Sequence, residues 1–287
     1  MKELRGRMRG RRAFAVLTLY LLVLGGLITL VYLAYVSGST SPGSSSARTA
    51  GKGLFAAILA VQVFLVLFIG PAFTAGAISG ERERQTFDLL RTTLLSPQSF
   101  VLGKLLSALS YVFLLVLVSI PMQSIAFLLG GLSPAELAIS QVLILTAAVT
   151  YAMYGLWCSA TMRTTLAATV TTFSGVFFIT FGIPLFVFAA ALILGPLSAT
   201  ALSVAPIAET MLIYGGLIMA ATNLPATLIV SEIFLLDQNT LFLTSQFVGG
   251  TRVWLFSPWP LFILFHLAAA MILFAATVRR VRQVSDV

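Results

Sequence analysis

The chain has 287 residues, of which 59% are hydrophobic and only 9% are charged. A soluble globular domain needs more charge on its surface, so this composition excludes one and indicates a protein embedded in a lipid bilayer. The net charge of +8 does not indicate nucleic-acid binding, because the basic residues flank apolar segments and no polar domain remains to carry a basic face. A single cysteine, Cys158, excludes a disulfide framework and a Cys/His zinc motif.

Apolar runs in the sequence predict six membrane-spanning helices. Each run lacks Asp, Glu, Lys and Arg and reaches the roughly 20 residues that a helix needs to cross a bilayer. The runs cover residues 13–36, 54–79, 105–130, 137–162, 166–194 and 259–278. The predicted fold class is therefore all-α, a polytopic integral membrane protein with one transmembrane domain over residues 1–287.

The basic residues predict how these spans are oriented. If the N-terminus is cytoplasmic, every Lys and Arg lies inside except Arg48, Lys52 and Arg252. The positive-inside rule then places both termini in the cytoplasm, and we expect the inner membrane of a prokaryote. The first apolar run is too long for a signal peptide, which indicates an uncleaved anchor.

Residues 195–257 form a long outer segment before the last span. Two apolar stretches in it, 207–221 and 224–236, are short for a crossing and are separated by Asn223-Leu224-Pro225. We predict a re-entrant or interfacial helical hairpin. Two further crossings, giving eight spans, would be equally compatible with the charge pattern. Ser96-Pro97, Ser133-Pro134 and Ser257-Pro258 are predicted helix starts, with Ser as the cap and Pro as the first helical residue.

The chemistry of the spans argues against an enzyme or an ion-driven pump. Among Asp, Glu, Lys, Arg and His, only His266 lies inside the six runs, and a packing role suits it better than a proton relay. Hydrolase motifs and the phosphate-binding G-x-x-x-x-G-K-[ST] loop are missing, so we expect no catalytic, metal or cofactor site on this chain. Candidate hinge or pathway residues are Gln62, Pro71, Pro121, Gln123, Ser124, Thr171, Thr172, Ser174, Pro184 and His266. For most of them, kinks and interhelical hydrogen bonds are the better explanation. Gly76 with Gly80 forms a small-xxx-small pair for close helix packing.

Residues 80–104, between the second and third spans, form the long cytoplasmic connection. The stretch from Glu81 to Leu95 predicts one helix, because its acidic start, its Arg84/Asp88 spacing and its apolar face at Phe87, Leu90 and Leu94 are typical of one. A helix lying on lipid headgroups is the alternative. The mixed charge favours docking to a cytoplasmic protein. Candidate coupling residues are Glu81, Arg82, Glu83, Arg84, Thr86, Phe87, Asp88, Leu90, Arg91 and Leu94.

This connection resembles the ABC type-2 exporter permease family. The residues that carry the resemblance are Glu81-Arg82-Glu83-Arg84-Gln85-Thr86-Phe87-Asp88-Leu89-Leu90, then Ser96-Pro97 and Gly103-Lys104-Leu105. Two positions depart from the family pattern, with Gln85 in place of Gly and Asp88 in place of Glu. The first puts a local turn in doubt.

The resemblance implies a permease that pairs with a second permease chain, identical or paralogous, and with two separate ATPase subunits. ATP and magnesium would bind on the ATPases, and residues 80–104 would be the coupling element. The expected function is export of a hydrophobic or amphipathic substrate, in contact with membrane lipid. Two alternatives remain open. One is mechanical work on an outer-facing partner protein, and the other is a passive channel or secondary carrier built around His266.

Overall fold

The computed structural model describes residues 11–38, 44–85, 96–130, 132–189, 192, 206–238, 240–248 and 251–285. Its elements are α1 (Arg11–Gly38), α2 (Ser44–Thr74), α3 (Ser79–Glu83), α4 (Pro97–Leu128), α5 (Pro134–Thr161), α6 (Thr165–Phe177), α7 (Pro206–Ala220), α8 (Leu224–Gln238), β1 (Leu243–Val248), β2 (Thr251–Phe256) and α9 (Trp259–Ser285). After α6 the chain continues as a π-helical turn, Phe178–Gly182, and as helix to residue 189.

Six helical segments are long and apolar enough to cross a membrane, which confirms the predicted multi-pass fold. They are Leu17–Ala34, Ala47–Glu83, Pro97–Leu128, Pro134–Thr161, Thr165–Ala189 and Trp259–Gln283. The helix of the second span begins at Ser44, before the predicted start at residue 54. The predicted end of the fifth span, beyond residue 189, lies mostly outside the described residues.

Two of the predicted serine–proline helix starts are formed as expected. The Ser96 hydroxyl accepts a hydrogen bond from the Ser99 N–H (3.2 Å), with Pro97 as the first residue of α4. Ser133 and Glu136 form a complete capping box at the start of α5. These side chains satisfy N–H groups that a helix cannot satisfy by itself.

Helix α5 is the centre of the bundle and packs against α2, α4, α6 and α9. Small residues on it allow the close approach: Ala147, Ala148, Ala152 and Cys158 are all fully buried. A Cβ on Gly70 of α2 would lie 3.8 Å from the Ala148 carbonyl oxygen. Backbones this close gain dispersion contacts, which drive helix association in lipid.

The predicted outer hairpin is present as α7 and α8, separated at residues 221–223. Each helix has 15 residues and a length of about 22 Å, short of the bilayer core. The tip contacts the fifth span through Asn223, whose amide donates to the carbonyls of Ile179 (3.1 Å) and Thr180 (2.8 Å). Thr180 is about 22 Å along that span from Thr165. The hairpin therefore does not reach the far end of the bundle, which favours six spans over eight.

The described fold is all-α as predicted except in one segment, where β1 and β2 form a two-stranded antiparallel sheet before the last span. Leu243 pairs with Phe256 and Val248 pairs with Thr251. The sequence carries a signal for it, since Gly249-Gly250 separates two stretches rich in β-branched and aromatic residues. The sheet packs on the hairpin through Leu255, which shares a cluster with Leu217 and Phe234.

Candidate functional site at the basic end of the bundle

Four segments that are distant in sequence meet at one end of the bundle. Ile78, Val101, Ala160 and Val281 belong to one buried hydrophobic cluster, which joins the ends of the second to fourth spans to the C-terminal part of α9. Basic side chains surround this cluster: Arg82, Arg84, Lys104, Arg163, Arg279, Arg280 and Arg282. We call this region the basic end.

At the basic end the second span breaks and restarts. Helix α2 ends at Thr74, and α3 begins at Ser79 after a turn. The Ser159 hydroxyl, at the end of α5, accepts hydrogen bonds from the N–H groups of Ile78 and Ser79 (2.9 Å each). Ser159 therefore stabilises the break, because N–H groups at a helix start have no partner within the helix.

Helix α3 then contacts both sides of the α5–α6 connection. Arg82 donates to the carbonyls of Ala160 (3.2 Å) and Met162 (3.3 Å), at the C-terminal end of α5. Glu83 accepts from the Thr165 N–H (2.7 Å) and hydroxyl (2.6 Å), at the N-terminal end of α6. A cation at a helix C-terminus and an anion at a helix N-terminus both complement the helix dipoles.

A third side chain of α3 joins the helix to the third span. Glu81 forms an ion pair with Lys104 of α4, and the Lys104 ammonium also lies 5.6 Å from the centre of the Phe100 ring. Lys104 is 9% exposed, so this charge is nearly buried and depends on its partner. Together Glu81, Arg82 and Glu83 contact the third, fourth and fifth spans, and we call these three residues the α3 anchor.

The predicted coupling helix is interrupted after the α3 anchor. Helix α3 ends at Glu83, and Gln85 has a φ of 56°, a left-handed conformation that ordinarily favours glycine. The single helix predicted from Glu81 to Leu95 is therefore wrong, because a left-handed residue ends it. The turn expected at this position is nevertheless formed, with Gln85 in place of glycine. The six remaining coupling candidates lie outside the described residues: Thr86, Phe87, Asp88, Leu90, Arg91 and Leu94.

Two of the polar span candidates form a buried interhelical network. The Gln62 amide nitrogen donates to Ser119, and its carbonyl oxygen accepts from Gln123 (3.0 Å) and Gln141 (3.3 Å). Gln141 also donates to Gln123 (3.1 Å). Gln62, Ser119 and Gln123 are at most 1% exposed. Since each amide is paired, this network joins the second, third and fourth spans and presents no free polar group to a pathway.

The other hydroxyl candidates satisfy their own helices or lie apart from the network. Ser124 donates to the Pro121 carbonyl (2.6 Å) and Thr172 to the Ala168 carbonyl (2.7 Å). Thr171 is half-buried and Ser174 is exposed. Bonds of this kind satisfy a hydroxyl locally without lining a path.

Pro184 has a defined effect on the fifth span. A proline lacks the N–H that would bond the carbonyl four residues earlier, which here belongs to Thr180. Asn223 at the hairpin tip supplies that missing donor (2.8 Å), and its side-chain oxygen accepts from the Ala226 N–H (3.1 Å), which caps α8. The π-helical turn Phe178–Gly182 lies directly before the proline. Pro71 and Pro121 lie inside continuous helices.

His266 is surrounded by aromatic rings rather than by charge. Its ring stacks on Phe262 with 3.8 Å between centroids and contacts Tyr151 edge-on at 6.4 Å. Its Nδ1 lies 3.1 Å from the Phe262 carbonyl oxygen. In the described part of the chain no set of three or more His, Cys, Asp or Glu residues could hold a metal ion. The surroundings of His266 favour packing over proton transfer.

The residues that bond to the predicted candidate residues were not themselves predicted from the sequence. Lys104, Ser159 and Thr165 complete the contacts of α3, Gln141 completes the amide network, and Asn223 completes the bonding at Pro184. Each of them lies far from its partner in sequence, so no local pattern indicates the pairing. The small-xxx-small pair was a usable signal, because Gly76 packs directly against Thr165.

Comparison with known proteins adds no assignment, since no family model matches the chain and no curated protein is significantly similar to it.

Proposed function

We propose that this chain is the membrane permease of an ATP-driven exporter of the ABC type-2 kind. Separate ATPase subunits supply the energy, and a second permease chain completes the pathway. The protein lies in the inner membrane of a prokaryote with both termini and the basic end in the cytoplasm. The substrate is hydrophobic or amphipathic, in keeping with spans that carry almost no charge.

The α3 anchor is the observation that carries this proposal. A partner that moves the connection after Gln85 pulls on α3, which is bonded to three spans at once. A displacement there reaches α4, α5 and α6 together, because ion pairs and hydrogen bonds join rigid helices. Such an arrangement suits a machine whose energy arrives from outside the membrane.

The contacts of α3 divide the coupling residues into two groups. Glu81, Arg82 and Glu83 are bonded within the chain and act as positioning residues for the spans. Arg84 is exposed, and its side chain bonds to no described residue. Arg84 and the following segment with Phe87 and Leu90 therefore form the docking surface for the ATPase.

Two variants test docking and transmission separately. With Phe87→Ala, the ATPase should no longer copurify with the permease, because an apolar docking contact is lost. With Glu83→Ala, the ATPase should still copurify, but transport-stimulated ATP hydrolysis in proteoliposomes should fall roughly two- to thirtyfold, the range expected for a residue that carries coupling.

Arg279→Gln is the matched control. It removes an exposed charge at the same end of the bundle, outside α3, and should change neither measurement. If no ATPase copurifies with the unsubstituted chain while proteoliposomes transport without one, the exporter assignment is wrong.

Mechanical work on an outer-facing partner is the second candidate function. The β-hairpin favours it, because Phe247 (76% exposed) and Trp254 (58%) flank Arg252, which lies within 6 Å of both rings. Aromatic residues with arginine are typical of the centres of protein interfaces. Replacing residues 243–256 by a short Gly/Ser linker should abolish partner binding and leave basal ATPase activity intact if this function is correct.

A further inference from the structure

Helix α8, the second span and the fifth span border an open apolar pocket in the half of the bundle away from the basic end. The pocket has a volume of about 400 Å³, within the roughly 300–1,000 Å³ typical of small-molecule sites. Phe64 and Leu67 of α2, Phe181 of the fifth span and Leu228 of α8 form part of its wall. Among the lining residues, Glu232 alone carries a charge.

Glu232 is the charged group of this pocket. It makes no hydrogen bond or ion pair with any described residue, although it is half-buried. Burial raises the pKa of Glu232 above its ordinary value, the negative charge of Glu136 raises the pKa further, and the positive charge of Lys52 lowers it. An unpaired carboxylate in apolar surroundings costs free energy until a cation compensates it.

A second, smaller cavity adjoins the pocket and has four polar residues in its otherwise apolar lining. It has a volume of about 20 Å³, enough for a single water molecule, and Glu232, Glu136, Ser140 and Ser231 contribute to its lining. Ser231 is 3% exposed, and its hydroxyl makes no hydrogen bond to any described residue. Buried hydroxyls are nearly always bonded, so the Ser231 hydroxyl can bond a polar group that enters this cavity.

We infer that the pocket binds an amphipathic cation, with its hydrocarbon chain against Phe64, Leu67 and Leu228 and its ammonium group beside Glu232. The two carboxylates, Glu232 and Glu136, outnumber the single positive charge of Lys52 and give this end of the site a net negative charge that is complementary to an ammonium group. The apolar wall selects a chain-bearing molecule over a free inorganic cation. The inference that this pocket binds an amphipathic cation is independent of the proposed function. Only the further step, that such a cation belongs to the exported substrates, rests on the proposed function.

Dodecyltrimethylammonium is a suitable probe, because its charge does not change with pH. Binding of the tritiated probe to the immobilised chain in dodecyl maltoside is measured by scintillation proximity, with dodecanol as the neutral probe of equal chain length. Glu232→Gln should weaken binding of the cation at least about tenfold and change dodecanol binding by less than about twofold. Binding of the cation to the unsubstituted chain should also weaken as the pH falls and Glu232 becomes protonated.

Two neighbouring alanines of α2 provide a matched pair of blocking variants. Ala56 lines this pocket, whereas Ala57 lines a second apolar pocket of about 640 Å³ that has no acidic residue. Ala56→Phe should reduce the binding of both probes, and Ala57→Phe should leave cation binding unchanged. Size-exclusion profiles identify any variant that has lost its fold.

Three outcomes would overturn the inference: no measurable cation binding to the unsubstituted chain, unchanged cation binding in Glu232→Gln, or an equal loss in Ala56→Phe and Ala57→Phe. The proposed exporter function is judged on other evidence. If the cation binds but no ATPase copurifies, the pocket inference stands and the exporter proposal is wrong. If an ATPase copurifies but the cation does not bind, the exporter proposal stands and the pocket inference is wrong.

Discussion

Gln85 illustrates how a single residue determines the course of the chain at the basic end. The last residue of α3 is Glu83, and two residues later Gln85 has a left-handed φ of 56°, which prevents the helix from continuing. A non-glycine residue in this conformation costs roughly 1–2 kcal/mol, because its Cβ approaches the following carbonyl. The turn forms despite that cost because Glu81, Arg82 and Glu83 are bonded to neighbouring spans.

Gln85→Gly should therefore stabilise the protein by about 0.5–1 kcal/mol, the strain relieved less the greater entropy of glycine in the unfolded chain. Gln85→Ala is the control and should give no gain, since alanine meets the same strain. Both are measured as shifts in thermal unfolding in detergent. If the Gln85→Gly variant is no more stable than the Gln85→Ala variant, the strain argument is wrong.

The amide network also acts at the scale of single residues. Gln62 alone bonds Ser119, Gln123 and Gln141, so its removal would take one hydrogen-bond partner from each of them. Ser119 would keep its bond to the Val116 carbonyl, and Gln141 would keep its bond to Gln123. The sequence marked Gln62 and Gln123 as unusual because polar groups are costly in lipid. The sequence did not decide whether these residues line a transport pathway or bond the helices together. The hydrogen-bond distances favour bonding between helices, because the side-chain amides of Gln62, Gln123 and Gln141 all pair with one another.

At the scale of elements, the second span approaches α6 most closely at one pair of residues, Gly76 and Thr165. A Cβ on Gly76 would lie 2.9 Å from the Thr165 Cγ2 atom, closer than packed atoms ordinarily approach. Thr165 is also the residue that Glu83 bonds, through its N–H and its hydroxyl. The glycine therefore allows the second span to come close enough for α3 to contact α6.

Gly76→Ala should destabilise the protein by roughly 1–3 kcal/mol, the usual cost of overpacking. In the Gly76→Ala/Thr165→Ser double variant most of this loss should be recovered, because serine keeps the hydroxyl and lacks the clashing methyl group. Thermal unfolding of the two single variants and the double variant gives the interaction energy between the sites. Purely additive effects would show that the two residues are not in direct contact.

The hairpin and the fifth span form a second coupled pair of elements. Pro184 leaves the Thr180 carbonyl without its helical donor, and Asn223 supplies one while capping α8. The sequence indicated a break at Asn223-Leu224-Pro225, but the bond to a proline-altered span 43 residues earlier was not visible in it. Such a bond depends on which helices are neighbours, and this is decided by packing.

At the scale of the whole molecule, the basic end and the pocket with Glu232 lie in opposite halves of the bundle. Labelling of single cysteines in a Cys158→Ala background tests the orientation. Arg48→Cys should react with a membrane-impermeant maleimide in intact cells, and Arg280→Cys should react only after permeabilisation, because lysine and arginine accumulate on the cytoplasmic side. Both positions are exposed, so access is limited by the membrane alone. The opposite labelling pattern would reverse the proposed topology.

The sequence by itself determined the six long apolar spans, the helix starts at Ser96 and Ser133, and the two short helices before the last span. These features follow from local chemistry: apolar runs of bilayer length, capping side chains and proline positions. It did not indicate that Glu81, Arg82 and Glu83 bond to three different spans, that Gln85 ends α3, or that Glu232 faces an apolar pocket near Glu136. Tertiary structure decided these, because each depends on contacts between residues far apart in sequence, which local patterns do not encode.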